Sequence, residues 1–156
     1  MSALANRSAA GDHPSGDHFR KLERAYASAP VTQWFGTSIQ VGDGTAEVTL
    51  TVRPEFYHAA HAVHGSVYFR LLDDAAFFAA NSLVTDVLVL TVSYTVYFVR
   101  PVASGAIRAL GRTVHQAGRL MLAESQLLDA DGRLLGQGSG TFIRSSIRLD
   151  AAIGYT

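Results

Sequence analysis

The stretch HAVHGSVYFRLLDDAAFFAANS, residues 61–82, decides the fold of this chain. Its density of apolar residues predicts a long helix that is buried on most sides. The same stretch begins with a His-Gly pair and carries Arg70, Asp73 and Asp74. A buried charge is costly unless it has a partner, so these charged residues need a structural or a functional reason.

The two aspartates of this helix are not equivalent. Arg70 and Asp74 are four residues apart, which allows an ion pair along the helix surface. Asp73 shares a stripe with Phe69, Ala76, Phe77 and Ala80. A carboxyl group in apolar surroundings has the raised pKa that a general base exploits, so Asp73 is the catalytic candidate. The alternative is that Asp73 is a surface or interface residue paired with Arg70.

The start of the helix is a second candidate. His64-Gly65-Ser66 lies where the unpaired N–H groups of the first turn point outward, with the helix dipole behind them. A glycine there lets a substrate carbonyl approach the backbone, as an oxyanion hole requires. The alternative is an ordinary helix start with a glycine in it.

The rest of the chain predicts an α+β domain in which an antiparallel sheet packs on the central helix. Asp17 is a possible cap of a short N-terminal helix that ends before Pro30. A hairpin is predicted around the Gly-Asp-Gly turn at 42–44. Strands are expected at 35–41, 45–52, 87–99, 104–115, 119–128 and 133–144. The boundaries predicted are a disordered leader at 1–16, a single domain at 17–147 and a tail at 148–156.

Two strands carry further patterns. Between 87 and 99, alternation places Leu88, Leu90, Val92, Tyr94, Val96 and Phe98 on an apolar face that should meet the helix, with Thr91 on the polar face. In the last strand, Gly136, Gly138 and Gly140 share one face. Such a stripe without side chains is expected to let another backbone come close.

Composition limits the function. The formal net charge is zero, which argues against nucleic-acid binding and makes self-association plausible. The chain has no cysteine, so disulfides, thiolate metal sites and a cysteine nucleophile are excluded. No apolar run is long enough for a membrane span, and no secretion signal is visible. A cytoplasmic location is expected.

The segment HGSVYFRLLDDAAFFAANS resembles the pattern HGGxxxxLxDxAxxxAxNS of hotdog-fold acyl-CoA thioesterases, in the phenylacetate-degradation (PaaI-type) branch of the 4-hydroxybenzoyl-CoA thioesterase-like superfamily. YFVRPVASG at 97–105 and the segment from Val114 to Phe142 are also similar to the family. The resemblance implies a hotdog fold, in which an antiparallel sheet wraps around one long central helix. It covers roughly residues 32–145.

The resemblance implies a thioesterase that is a homodimer or a dimer of dimers and needs no cofactor, because CoA is part of the substrate. The N–H of Gly65 would polarise the thioester carbonyl. Asp73 of the partner chain would act as base or nucleophile, and Thr91 would help to orient the attacking water. The hydrolysed acyl-CoA is expected to carry a short or aromatic acyl group.

The sequence departs from the family pattern at two positions. His58 stands where the family usually has Asn, and Ser66 replaces the second glycine of the HGG motif. His58 and His64 are further catalytic candidates, and Ser66 is expected to cap the helix and contact substrate. His58, His61 and His64 are also spaced for a metal site, but loop histidines more often form hydrogen bonds, so no metal is expected.

Cationic and aromatic residues complete the predicted site. Arg100 and Arg119 are expected to bind the CoA phosphates, with Arg108 and Arg112 as further candidates; each is equally well explained as part of a solvated strand face. Tyr68 and Phe77 are expected to line the acyl pocket. Two other functions stay open: a non-catalytic acyl-CoA-binding protein, favoured by the missing Asn, and a hotdog enoyl-CoA hydratase or dehydratase.

Overall fold

A computed structural model describes residues 15–156, and its elements follow the predicted order. The helices are α1 (Gly16–Ser28), α2 (Pro30–Phe35) and α3 (Gly65–Asn81). The strands are β1 (Ser38–Gly42), β2 (Thr45–Thr51), β3 (Val87–Phe98), β4 (Ala106–Ala117), β5 (Leu120–Asp129) and β6 (Leu134–Arg148). Short 3₁₀ turns lie at Pro54–Phe56 and Ala151–Ile153.

The six strands form one antiparallel sheet in the order β1-β2-β4-β5-β6-β3. The long helix α3 packs against one face of this sheet and contacts every strand. The predicted α+β hotdog architecture is therefore confirmed. Strand β3 pairs only with β6, so its other edge has no backbone partner within the described chain.

The core lies between α3 and the sheet. Leu71, Leu72 and Ala75 of α3 are fully buried against apolar side chains of the strands, among them Val48, Leu50, Ile107, Leu127 and Leu135. Each buried Leu, Ile or Val side chain contributes about 1.5–3 kcal/mol by leaving water, so this contact is the main source of stability.

The closest approach between helix and sheet is at Gly111 of β4. A Cβ atom there would stand 2.1 Å from the carbonyl oxygen of Ala75, so only glycine fits. The glycine stripe of β6 serves another purpose than predicted. The ring of Tyr94 fills the space above Gly138 and Gly140, and its hydroxyl lies 3.0 Å from the carbonyl oxygen of Leu72 in α3.

Strand β3 does not keep the predicted alternation. Its pairing with β6 shifts at two points: between Val87 and Val89 the extra residues lie in β6, and between Thr91 and Ser93 one extra residue lies in β3 as a bulge. Such a bulge turns the following side chains to the other face. Val89 is consequently buried, and Val92 is 59% exposed. The prediction that Leu90 and Val92 meet the helix is therefore wrong.

The two ends of the described chain pack against each other, and the cap of the first helix differs from the predicted one. Helix α1 begins at Gly16, and its cap is Ser15 rather than Asp17, because the Ser15 hydroxyl accepts from the N–H of His18. The leader predicted at 1–16 otherwise lies outside the described residues. At the other end, the Tyr155 hydroxyl lies 2.7 Å from Nδ1 of His18, so the segment 148–156 packs onto α1.

Asn81 and Ser82 fix the turn from α3 into β3. The buried amide of Asn81 donates to the carbonyls of Val84 and Val87 and accepts the N–H of Val89. The Ser82 hydroxyl donates to the carbonyl of Ala79 and accepts the N–H of Gly44. These two motif residues therefore position strand β3 against the helix.

The predicted pairing of Arg70 with Asp74 is confirmed. An Arg70 Nη lies 3.1 Å from Asp74 Oδ2, and the two side chains are only 15% and 20% exposed. The hydroxyl of Tyr26 in α1 donates to the same carboxyl oxygen at 3.1 Å. Burial nevertheless raises the pKa of Asp74 to about 6, although Arg70 and Tyr26 oppose that shift.

Replacement of Asp74 by Asn should change how stability depends on pH. The ordinary pKa is 3.8 and that in the folded chain is about 6, so the folded state retains a proton that the unfolded chain releases. Stability from this group therefore falls as the pH rises from about 4 to about 6, by up to about 3 kcal/mol. The difference in the free energy of unfolding between Asp74→Asn and the parent, measured by urea unfolding, should therefore shift in favour of the variant by a similar amount from pH 4 to pH 8. An unchanged difference between parent and variant would contradict the burial of this charge.

Candidate active site

Asp73 lies on the side of α3 that faces the exposed edge of the sheet. Its carboxyl is half-buried, and Oδ1 accepts a hydrogen bond of 3.1 Å from the Thr91 hydroxyl of β3. Burial raises the pKa of Asp73, while the Thr91 hydroxyl and the charge of Arg70 oppose the rise. Among the described residues, Oδ2 has no hydrogen-bond partner. The group therefore combines a free oxygen with increased basicity.

The bulge in β3 brings Thr91 to Asp73. The predicted alternation placed Thr91 on the strand face away from the helix. In the structure its hydroxyl touches the helix carboxylate, because the register shift between Thr91 and Ser93 separates it from the residues that follow. The candidate base and its hydrogen-bond donor thus come from two elements that only the folded sheet places together.

The N-terminus of α3 is capped by a side chain that the sequence did not indicate. His64 Nδ1 accepts the N–H of Ser66 at 3.1 Å and lies 2.8 Å from the Ser66 hydroxyl. The expectation that Ser66 caps the helix is therefore wrong, and Ser66 instead holds the ring that does so.

Gly65 is the first residue of α3, and its N–H has no acceptor among residues 15–156. The ring of Phe98, the last residue of β3, stands beside it. A Cβ atom on Gly65 would be 3.1 Å from two atoms of this ring. The glycine leaves this end of the helix open to a ligand and to the aromatic ring.

The two candidate groups are separated along one helix. Asp73 is eight positions after Gly65, which corresponds to about 12 Å of helix at 1.5 Å per residue. This distance is too long for both groups to act on a single carbonyl carbon. One chain therefore does not bring Asp73 and Gly65 together.

The loop before α3 does not arrange His58, His61 and His64 as a metal site. His58 is exposed. Its ring Nδ1 accepts the backbone N–H of Ala60, and its backbone N–H donates to the carbonyl of Ala62. His61 takes a left-handed backbone conformation at φ 60°. Within residues 15–156, no group of three or more His, Asp or Glu side chains is arranged to hold a metal ion.

The cationic candidates divide into two groups. Arg108 lies 3.8 Å from Glu47, and Arg112 forms a 2.6 Å contact with Glu124, as expected of a solvated strand face. Arg119 donates to a backbone carbonyl at 3.2 Å and remains exposed. Arg100 is exposed, and within the described chain its side chain contacts no carboxylate. Arg100 and Arg119 therefore keep charge available for an anionic ligand.

The aromatic residues predicted for the acyl pocket lie mainly in the core. Tyr68 is only 3% exposed, and its hydroxyl donates to the carbonyl of Arg100. Phe77 is half-buried against Phe78 and Phe142. Sequence reasoning missed the exposed rings beside the candidate groups, Phe98 at Gly65 and Phe69 one helical turn before Asp73. The shared stripe of Phe69 and Asp73 was visible in the sequence, whereas the contact of Phe98 with Gly65 depends on the fold.

No helix among the described residues has both the length and the apolar composition needed to cross a bilayer.

The comparisons with known proteins agree with the resemblance seen in the sequence. Residues 60–135 match the model of the thioesterase superfamily. This segment contains α3 with Gly65 and Asp73, strand β3 and the two strands that follow. A search of curated protein sequences found no match to this chain.

Several solved structures share the fold. The E. coli PaaI protein from the phenylacetic acid degradation operon is 21% identical, with a TM-score of 0.79 over 86% of this chain and 98% of that one. A conserved Pseudomonas aeruginosa protein is 26% identical, with a TM-score of 0.73 over 78% of this chain and 98% of that one. A Haemophilus influenzae thioesterase is 17% identical, with a TM-score of 0.72 over 80% and 88% of the two chains. In its motif residues the chain is similar to the thioesterase superfamily, and it shares the hotdog fold of the E. coli PaaI protein.

Proposed function

We propose that this protein hydrolyses the thioester bond of an acyl-CoA, with Asp73 as the general base and the Gly65 N–H as the oxyanion donor. The observation that carries the proposal is the half-buried Asp73 carboxyl, which has one oxygen bonded to Thr91 and the other free. A group with a raised pKa and an open oxygen is suited to take a proton from water.

The reaction follows from these groups. Asp73 removes a proton from a water molecule, whose oxygen attacks the thioester carbonyl carbon. The developing oxyanion accepts a hydrogen bond from the Gly65 N–H and lies at the positive end of the helix dipole. When the tetrahedral intermediate collapses, the C–S bond breaks and the CoA thiolate leaves. The proton on Asp73 passes to the thiolate, so the products are a free acid and CoA.

The distance between Gly65 and Asp73 requires a second copy of the chain. Strand β3 runs from Thr91, which contacts Asp73, to Phe98, which stands beside Gly65. If two β3 edges pair antiparallel around a two-fold axis, the first half of one strand lies beside the second half of the other. Asp73 of one copy then approaches Gly65 of its partner, which gives two equivalent sites per dimer.

The exposed edge of β3 supports this pairing. The strand is 12 residues long, and its unpaired backbone edge is a template for a further strand. Leu90 and Val92 are 43% and 59% exposed in the single chain, and a partner strand would cover these apolar side chains. We therefore propose a homodimer formed through β3 as the active unit.

Asp73→Asn should abolish hydrolysis of acyl-CoA while the fold is retained. The amide cannot accept the proton from water, so we expect kcat to fall by about 10²–10⁴-fold. Release of CoA is measured with a thiol-reactive dye on acetyl-, hexanoyl-, decanoyl- and benzoyl-CoA. Far-UV circular dichroism and thermal melting check the fold.

The matched control is Asp74→Asn, one residue away on the same helix. Asp74 lies about 100° further around α3, where it contacts Tyr26 and Arg70 and does not contact Thr91, so its variant should keep the kcat of the parent. Equal loss in both variants would show a general effect on the helix. Parent-like turnover by Asp73→Asn would exclude Asp73 as the base.

Thr91→Val should move the acidic limb of the pH–rate profile to higher pH. The Thr91 hydroxyl donates to Asp73 and stabilises the ionised carboxylate, so its removal raises the pKa of Asp73 further. The base form then appears only at higher pH, and kcat recovers at alkaline pH. A profile with the same midpoint and a lower plateau would show that Thr91 does not act through the ionisation of Asp73.

A further inference from the structure

We infer that Phe98 is the residue that limits the size of the acyl group, by forming the wall of the acyl site beside Gly65. This inference rests on the proposed thioesterase function and adds a specificity-determining residue to it. The observation that carries it is the close packing of an exposed aromatic ring against the glycine whose N–H is free.

Phe98 lies at the point where the thioester carbonyl would bind. Two atoms of its ring stand 3.1 Å from the position that a Cβ atom of Gly65 would occupy. An acyl group whose carbonyl oxygen accepts the Gly65 N–H must therefore pass the ring or pack against it. Apart from the chain neighbours of Gly65, the three atoms nearest to that Cβ position all belong to the Phe98 ring.

One side of the Phe98 ring packs against the protein, and the other side is exposed. Its inner side meets buried Tyr68 at a centroid distance of 5.7 Å in an edge-on contact. The Tyr68 hydroxyl donates to the carbonyl of Arg100, which fixes the supporting ring. Phe98 itself is 61% exposed in the single chain. A large apolar ring that is supported on one side and exposed on the other is suited to bind an apolar group.

Position on the strand distinguishes Phe98 from its neighbour. Tyr97 is equally exposed at 60%, but successive side chains of a strand point to opposite faces, and Tyr97 lines a surface cleft together with Gln126 and Gln137. The two residues thus match in size and exposure and differ in access to Gly65. Tyr97 is the natural control.

The test measures kcat/KM for acetyl-, hexanoyl-, decanoyl- and benzoyl-CoA in the parent, Phe98→Ala, Phe98→Leu and Tyr97→Ala. Removal of the ring should admit longer chains. We expect the ratio of decanoyl-CoA to acetyl-CoA turnover to rise by about tenfold or more in Phe98→Ala. Phe98→Leu, which keeps apolar bulk at the β3 end, should give a smaller rise and covers the case in which Phe98→Ala fails to fold.

A ratio is compared because general damage to the fold lowers all four rates together. The same rise in Tyr97→Ala, or parent-like ratios in both folded Phe98 variants, would overturn the inference and leave the thioesterase function standing. If the parent hydrolyses none of the four esters, the proposed function fails first, and the role of Phe98 in hydrolysis fails with it.

Discussion

The hydrogen bond between Thr91 and Asp73 is the contact on which the proposed site depends. A half-buried carboxyl group normally lowers stability, because water no longer solvates its charge. Here the free edge strand supplies one donor and leaves the second oxygen open. The site and the edge of the sheet are therefore parts of one arrangement, since the same strand orients the base and offers its backbone to a partner.

The packing of β3 explains how this arrangement is maintained. Asn81 anchors the start of the strand through three hydrogen bonds to the backbone. Farther along, Tyr94 spans Gly138 and Gly140, and its hydroxyl reaches the helix at Leu72, next to Asp73. The glycines of β6 make room for this ring. An edge strand with a single neighbour in the sheet is thereby fixed to the helix at both ends of the candidate site.

The sequence predicts the architecture well because its signals are local. The density of apolar residues in α3 and the turn residues between strands locate α1, α3 and the six strands to within a few positions, but not the short helix α2. The pairing of Arg70 with Asp74, and the distinct position of Asp73, follow from helical spacing alone. These features need no knowledge of which strands are neighbours.

The errors arise where distant parts of the chain meet. The bulges of β3 depend on its register with β6, so simple alternation misplaces Leu90, Val92 and Thr91. Phe98 was assigned only to an apolar strand face, because its contact with Gly65 joins residues 33 positions apart. Tyr68 satisfies its hydroxyl inside the core, which its position in the helix does not reveal. Site geometry thus depends on register and packing more than on residue pattern.

The central claim is that Asp73 of one chain acts with Gly65 of another. It is tested by purifying a heterodimer of Asp73→Asn and Gly65→Pro chains through two different tags. Proline suits the first helical position, and His64 already has the extended backbone that precedes proline at ψ 144°, so the N–H is removed with the helix retained.

Both homodimers should be inactive. The heterodimer keeps one intact site, so the account predicts about half of the parent activity per dimer. A heterodimer as inactive as the two homodimers would contradict a site shared between chains.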